Sequence, residues 1–183
     1  AVDPAELKAA AAEGEPDWRG RLGLAAAAPL IAFAGRMIPE KGVESLCAAL
    51  PMIREKVPDA AMVLAGGGPL LEPVRAAAPA GLYAVGGLAY PDTLSLLAQA
   101  DLFCLPTRSE GFAGTVLEAA ALGCPIVTTA TGGSPQLLPE ERYGILLADQ
   151  KPETVAAACV RALQNPAWRR GAAQLARQRL LEN

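Results

Sequence analysis

Two carboxylates and two cations carry most of the chemistry this sequence offers. Glu110 and Glu118 stand with seven residues between them, in the run Ser109-Glu-Gly-Phe-Ala-Gly-Thr-Val-Leu-Glu118. That run leaves an apolar stretch, Leu102 to Leu105, and passes a glycine turn. It then enters a helix expected to open near Gly114 and to stop at Gly123, with Pro125 just beyond. A glycine turn feeding a helix presents unpaired N–H groups at the positive end of the helix dipole, an anion site made from main chain. Phosphate suits it.

The cations are Arg36 and Lys41, in Gly35-Arg-Met-Ile-Pro-Glu-Lys-Gly42. Lys41 stands at the expected start of a helix, where the dipole disfavours a positive charge by about 0.3 to 1 kcal/mol. A residue that breaks a local rule invites a functional explanation. Facing a second helix N-terminus, the two cations would neutralise a diphosphate; the plainer alternative is a solvated pair with Glu40. Glu118 also has two readings. Thr115-Val-Leu-Glu118 is a capping-box sequence, in which the carboxylate reaches back to the helix start. Alternatively the carboxylate accepts two hydrogen bonds from a vicinal diol, as a ribose presents near its phosphates. A lone loop glutamate such as Glu110 is ordinarily solvated.

Two other glycine motifs fail on inspection. Counting from Gly35, Glu40 takes the place of the second Walker A glycine and Gly42 that of the metal-binding Ser or Thr, which argues against a P-loop. Gly66-Gly-Gly68 is not a dinucleotide fingerprint, because Leu71 stands where the third glycine belongs. A tight turn is the simpler reading, with direct ligand contact as the alternative.

The elements that position these residues alternate regularly. Apolar runs expected as buried strands are Leu30 to Ala34, Ala61 to Ala65, Leu82 to Val85, Leu102 to Leu105, Ile126 to Thr128 and Tyr143 to Leu147. Between them lie helical spacings. Gly42 to Ile53 places Val43, Leu46, Cys47, Leu50 and Ile53 on one face, and Pro91 to Gln99 places Leu94, Leu97 and Ala98 together. Pro69 to Ala76, Ser134 to Leu138, Pro152 to Leu163 and Pro166 to Leu181 complete the set. Strand and helix in alternation give a doubly wound, Rossmann-like α/β domain with a parallel sheet of about six strands. Its glycine loops fall at strand carboxyl ends, where such sheets bind ligands.

Residues 1–28 carry proline and glycine among alanines and promise at most a short helix, Leu7 to Glu13. Residues 29–183 form the domain. The opening Ala1-Val-Asp-Pro4 is neither a signal peptide nor a translational start, so the chain is expected to be part of a longer one.

Composition narrows the class. Of 183 residues, 52% are apolar and 19% charged, so a full core is available. A net charge of -3 with no long basic run argues against a nucleic-acid partner. No stretch approaches the roughly 18 to 20 apolar residues of a membrane span. Cys47, Cys104, Cys124 and Cys159 show no paired spacing and sit in apolar runs, as structural thiols in a reducing compartment do. Histidine, the commonest general base, does not occur.

The segment Glu110 to Glu118 resembles the Glu-x7-Glu signature of GT-B glycosyltransferases, in particular the retaining enzymes called family 4 or group 1. Three more motifs follow that family in order: Gly35 to Gly42 as the first strand-to-helix loop, Leu64-Ala-Gly-Gly-Gly-Pro69 as the second, and Thr131-Gly-Gly-Ser134 after the fifth strand. The resemblance implies one half of a GT-B fold, its C-terminal donor-binding domain, with residues 1–28 as linker from an acceptor domain not included here. Its donor would be a nucleoside diphosphate sugar. By the same resemblance Arg36 and Lys41 hold the diphosphate and Glu110 orients the transferred sugar. Main chain of Gly35 and of Gly111, Phe112, Ala113, Gly114 and Thr115 contacts the donor, and Glu118 binds ribose. The base lies against Leu88, Ala89 and Tyr90, where Tyr90 is either a wall of that site or an ordinary buried loop aromatic. Many members have glycine where this chain has Ala113, which narrows the sugar pocket.

The resemblance further implies a cytoplasmic protein, at the inner membrane face through its missing domain, that needs neither metal nor cofactor. The acceptor would be a glycan, lipid or small molecule in envelope or polysaccharide synthesis. Two alternatives share the fold. A sugar-nucleotide epimerase would be expected to use acid-base side chains such as histidine, and a non-catalytic relative would have no reason to keep Arg36, Lys41, Glu110 and Glu118 together.

Overall fold

A computed structural model describes residues 2–109 and 114–182. Six parallel strands form one sheet: β1 (Leu30–Ala34), β2 (Ala61–Ala65), β3 (Leu82–Gly86), β4 (Leu102–Leu105), β5 (Ile126–Thr129) and β6 (Ile145–Leu147). Their order across the sheet is β3-β2-β1-β4-β5-β6. The chain thus builds outward from β1 in one direction, then crosses back to lay β4 on the other side of β1. That reversal is the switch point of a Rossmann-like sheet.

Pairing across that reversal is short. β1 pairs with β2 along its whole length, Leu30 against Ala61 through Ala34 against Ala65. With β4 it pairs only at Ile31 against Leu102 and Ala32 against Phe103. On its other side β4 pairs with β5 as far as Leu105 against Thr128.

Every residue of β1, β2, β4 and β5 is buried, as continuous apolar runs covered on both faces require. β3, at one edge, is only partly covered. The covering helices are α3 (Val43–Lys56), α4 (Leu71–Ala77), α5 (Tyr90–Gln99), α6 (Gly114–Leu122), α7 (Ser134–Leu137), α8 (Pro152–Leu163) and α9 (Pro166–Glu182). On α3 the buried face is Val43, Leu46, Ala49, Leu50 and Ile53, with Cys47 at its margin.

The N-terminal segment holds more helix than the expected Leu7 to Glu13. It forms α1 (Pro4–Ala12), capped by Asp3, and α2 (Trp18–Arg21), capped by Asp17. Trp18 is fully buried in the main core. Between the two helices the chain is stitched to α5: Glu15 N donates to Asp92 Oδ1 at 2.8 Å, Trp18 N to Gln99 Oε1 at 2.9 Å, and Gln99 Nε2 to the Glu15 carbonyl at 2.8 Å. Arg19 pairs with Asp101 at 2.6 Å, and the same carboxylate oxygen accepts from Leu30 N at 2.9 Å, tying the segment to the start of β1.

This stitching explains one departure from the expected helix face. On α5 the buried residues are Leu94, Ser95, Leu96 and Leu97, while Ala98 is exposed. Ser95 is covered because its hydroxyl donates to the Glu15 carbonyl. A polar residue on a helix gives no periodic signal for such a contact.

Candidate nucleotide site at the switch point

The loop after β1 is held from behind by the glycines after β2. Gly35 N donates to Ala65 O at 3.0 Å, Met37 N to Gly67 O at 2.8 Å, and Leu70 N to Met37 O at 3.0 Å. The ladder therefore runs on past both strands. Gly66 lets it do so, since a Cβ there would land on the Gly35 carbonyl. Met37 is fully buried, whereas Arg36, between the two anchored residues, is exposed.

A 3-10 turn, Pro39–Lys41, then precedes α3, with Gly42 between them at φ 74°. The helix thus begins one residue later than its apolar spacing suggests, and Lys41 closes the turn in front of it, half-buried.

The loop after β4 meets this turn. Arg108 N donates to the Glu40 carbonyl at 2.7 Å, and the buried Thr107 hydroxyl lies 3.2 Å from the same oxygen and 3.1 Å from the Ser109 carbonyl. Three carbonyls leaving β4 are each taken by a side chain. Thr128 Oγ1 donates to Leu105 O at 2.8 Å, Gln150 Nε2 donates to Pro106 O, and Thr129 Oγ1 donates to Thr107 O. Gln150 Oε1 also accepts from Arg108 Nε at 2.6 Å. Hydrogen bonds of this kind leave the segment little freedom to wander, because each buried carbonyl would otherwise go unpaired.

Thr107, Thr129 and Gln150 escaped sequence reasoning. A pair of threonines closing the apolar strand Ile126–Thr129 was the available signal for one of them; Gln150 had none.

After the loop that follows β4, α6 begins at Gly114, which is exposed, followed by the half-buried Thr115. Glu110, Gly111, Phe112 and Ala113 lie outside the described residues. Thr115 is the second residue of the helix rather than its cap, so Glu118 falls beyond the capping-box position. Instead Glu118 Oε1 accepts a hydrogen bond from the Tyr90 hydroxyl at 2.9 Å. Tyr90 is no buried loop aromatic. It opens α5 and is 53% exposed. Partial burial and the adjacent Glu118 carboxylate push its phenol above the ordinary value, so it remains a donor. Leu88 packs against the core and Ala89 caps α5, exposed.

The structure therefore joins the Arg36–Lys41 loop to Thr107–Ser109, and Tyr90 to Glu118, all at strand carboxyl ends. In such sheets that edge is where ligands are bound.

A family model described as glycosyl transferases group 1 matches residues 28–165, most of the chain. The chain belongs to the group 1 glycosyltransferases. Among curated relatives, the GDP-mannose-dependent alpha-(1-6)-phosphatidylinositol monomannoside mannosyltransferase of Mycobacterium tuberculosis is 34% identical over 158 residues, 80% of this chain and 40% of that protein. The glycogen synthase of the same organism is 35% identical over 81% of this chain and 37% of its own length. Sucrose-phosphate synthase from Thermosynechococcus elongatus superposes with a TM-score of 0.77 at 27% identity, over 92% of this chain and 44% of that one. Anabaena HepE, solved with UDP-glucose, superposes at 0.78 with 20% identity, over 99% of this chain and 49% of its own; that likeness is one of fold.

This group 1 chain accordingly spans less than half the length of the relatives it matches. Its six-stranded sheet is one Rossmann-like half of a GT-B architecture. Among the described residues no helix is long and apolar enough to cross a membrane.

Proposed function

We propose that this chain is the donor-binding domain of a retaining glycosyltransferase that takes a sugar from a nucleoside diphosphate sugar. The observation that carries the reading is the junction of the two switch-point loops through the Glu40 carbonyl. It ties the loop that carries Arg36 and Lys41 to the loop that leads toward α6, which supports a shared site for the two cations and that helix start. The names of the mannosyltransferase relatives, GDP-mannose-dependent, support a nucleotide-linked donor. HepE, on a similar fold, holds UDP-glucose.

In the reaction the bond between the anomeric carbon and the diphosphate oxygen breaks. Negative charge grows on the leaving phosphate, and stabilising it is electrostatic preorganisation. Arg36, Lys41 and the N-terminal N–H groups of α6 supply that here, so side-chain cations do the work a bridging metal would do. Glu110 orients the sugar, with main chain of Gly35 and of Gly111, Phe112, Ala113, Gly114 and Thr115 around the donor, and Glu118 takes the ribose. Leu88, Ala89 and Tyr90 border the base. The acceptor attacks from the face of departure, which keeps the anomeric configuration without a protein nucleophile. Acceptor contacts belong to the part of the relatives' length that this chain does not span, as does any approach to a membrane face.

Thermal unfolding in the presence of UDP, GDP, ADP or TDP tests the reading. A nucleotide at 100 times its dissociation constant adds about 2.7 kcal/mol, which is roughly 5 to 10 °C for a domain of this size. One nucleotide should give that shift, and Lys41→Ala should remove most of it. If none of the four shifts the transition at millimolar concentration, the reading fails.

A further inference from the structure

We infer that Tyr90 is a positioning residue for the ribose, acting through Glu118. The inference rests on the donor-binding reading of the site and names a contact within it. The phenol hydroxyl has one proton to give, and gives it to Glu118 Oε1 at 2.9 Å. An ionised carboxylate offers about four acceptor positions on its two oxygens. One is used by Tyr90, which leaves Oε2 and the remaining side of Oε1 for a vicinal diol. Tyrosine and diol thus bind the same carboxylate together rather than in competition.

Placement explains why such a partner matters. Glu118 projects from the fifth residue of α6, and a glutamate in a half-exposed setting has three rotatable bonds to fix before it can meet two hydroxyls at once. Tyr90 comes from a different element, the first residue of α5, and its ring has few torsions of its own. Its hydroxyl therefore holds one carboxylate oxygen at the start of α5. The rest of the carboxylate is then preorganised toward the diol before any ligand arrives. Tyr90 is more than half exposed, so removing the hydroxyl alone leaves the packing of α5 as it is.

The test is calorimetric titration of wild-type chain and Tyr90→Phe with UDP, GDP and ADP, and with the 2′,3′-dideoxy form of whichever binds. Tyr90→Phe should weaken the ribonucleotide about 3- to 10-fold, the loss of one charge-assisted hydrogen bond that orients the acceptor. The dideoxy form, which has no diol to meet Glu118, should bind both proteins alike within about twofold. In a Glu118→Ala background, Tyr90→Phe should change nothing further. Equal weakening of both nucleotide forms would make Tyr90 a base wall or a structural residue and overturn the inference. So would unchanged binding, or tighter binding, which would mean that the tyrosine competes with ribose. In each of those cases the donor-binding reading survives. Failure of every ribonucleotide to bind the wild-type chain would instead remove that reading, and the inference with it.

Discussion

Gly42 and Pro106 face each other across the switch point with no room for a side chain between them. A Cβ on Gly42 would land on the Pro106 carbonyl oxygen and 2.8 Å from its ring Cγ, and Gly42 already sits at φ 74°. Pro106 cannot give way, because Gln150 and the neighbouring Thr107 and Arg108 contacts hold its loop. Gly42→Ala should therefore cost about 2 to 4 kcal/mol, combining the left-handed penalty with displacement of the turn. That corresponds to roughly 5 to 15 °C in the unfolding midpoint. Gly23→Ala provides the comparison, since Gly23 has a similar φ of 68° and open space around it. It should cost only about 1 to 2 kcal/mol. Equal losses from the two substitutions would show that the Pro106 contact adds nothing.

Trp18 anchors a segment that precedes the family match at residue 28. Its side chain is fully buried, yet its indole Nε1 finds no acceptor among the described residues. Trp18→Ala should destabilise the chain by about 3 to 5 kcal/mol through lost burial and the cavity left behind. Trp18→Phe should cost far less, about 1 to 2 kcal/mol, because it deletes the unpaired donor along with the volume. Urea unfolding of both variants decides this. An alanine variant within about 1 kcal/mol of wild type would mean that α2 is dispensable.

How far the sequence foretold all this depends on the kind of signal. Leu30–Ala34 and Ala61–Ala65 announce themselves because a strand buried on both faces must be apolar throughout. Gly123 and Pro125 mark the end of α6 because few other residues stop a helix so well. The β6 strand is shorter than its apolar run, Ile145–Leu147 rather than from Tyr143, since Tyr143 lies in a turn and its ring meets the Arg142 and Arg179 guanidinium groups. The site divides in the same way. Lys41 is visible in the sequence as a cation at an expected helix start, and Arg36 and Glu118 through the motifs that resemble the family's. The partners that place them are not, because contacts such as Thr107 to the Glu40 carbonyl span 67 residues and depend on the strand order. Tyr90 and Glu118 are 28 residues apart and meet only because α5 and α6 are neighbours in the fold.

The cysteines allow a prediction about pH. Cys104 is pushed well above its ordinary value by the Cys159 thiol, 3.8 Å away, and by burial. Burial raises Cys124 and, more mildly, Cys47. A raised value in the folded state means that the native protein holds these protons more tightly than the unfolded chain does. Their contribution to stability is complete below the unfolded thiol range, near pH 8.5, and is lost as pH rises through it. The urea midpoint should therefore fall between pH 7.5 and 10. The thiolate is also the reactive form. At pH 8 a thiol reagent should label no more than Cys47 in the native chain, and all four cysteines in denaturant. Rapid labelling of Cys104 or Cys159 in the native chain would contradict the packing of β4 against α8.

The last prediction concerns how the proposed diphosphate is neutralised. Arg36 is exposed and Lys41 half-buried, so their attraction for a diphosphate acts partly through water and is screened by salt. Nucleotide affinity should fall several-fold between 0.05 and 0.5 M sodium chloride, as the screening length shrinks from roughly 14 Å to about 4 Å. Two side-chain cations with the α6 N-terminus balance the two negative charges of a nucleoside diphosphate sugar without a divalent ion, so EDTA should change the affinity for the sugar nucleotide less than twofold at fixed ionic strength. Arg36→Ala and Lys41→Ala should each weaken binding, and the pair together should remove most of the salt dependence. Magnesium-dependent binding that persists in the double variant would transfer the role from these side chains to a metal, and calorimetric titration with and without EDTA would reveal it directly.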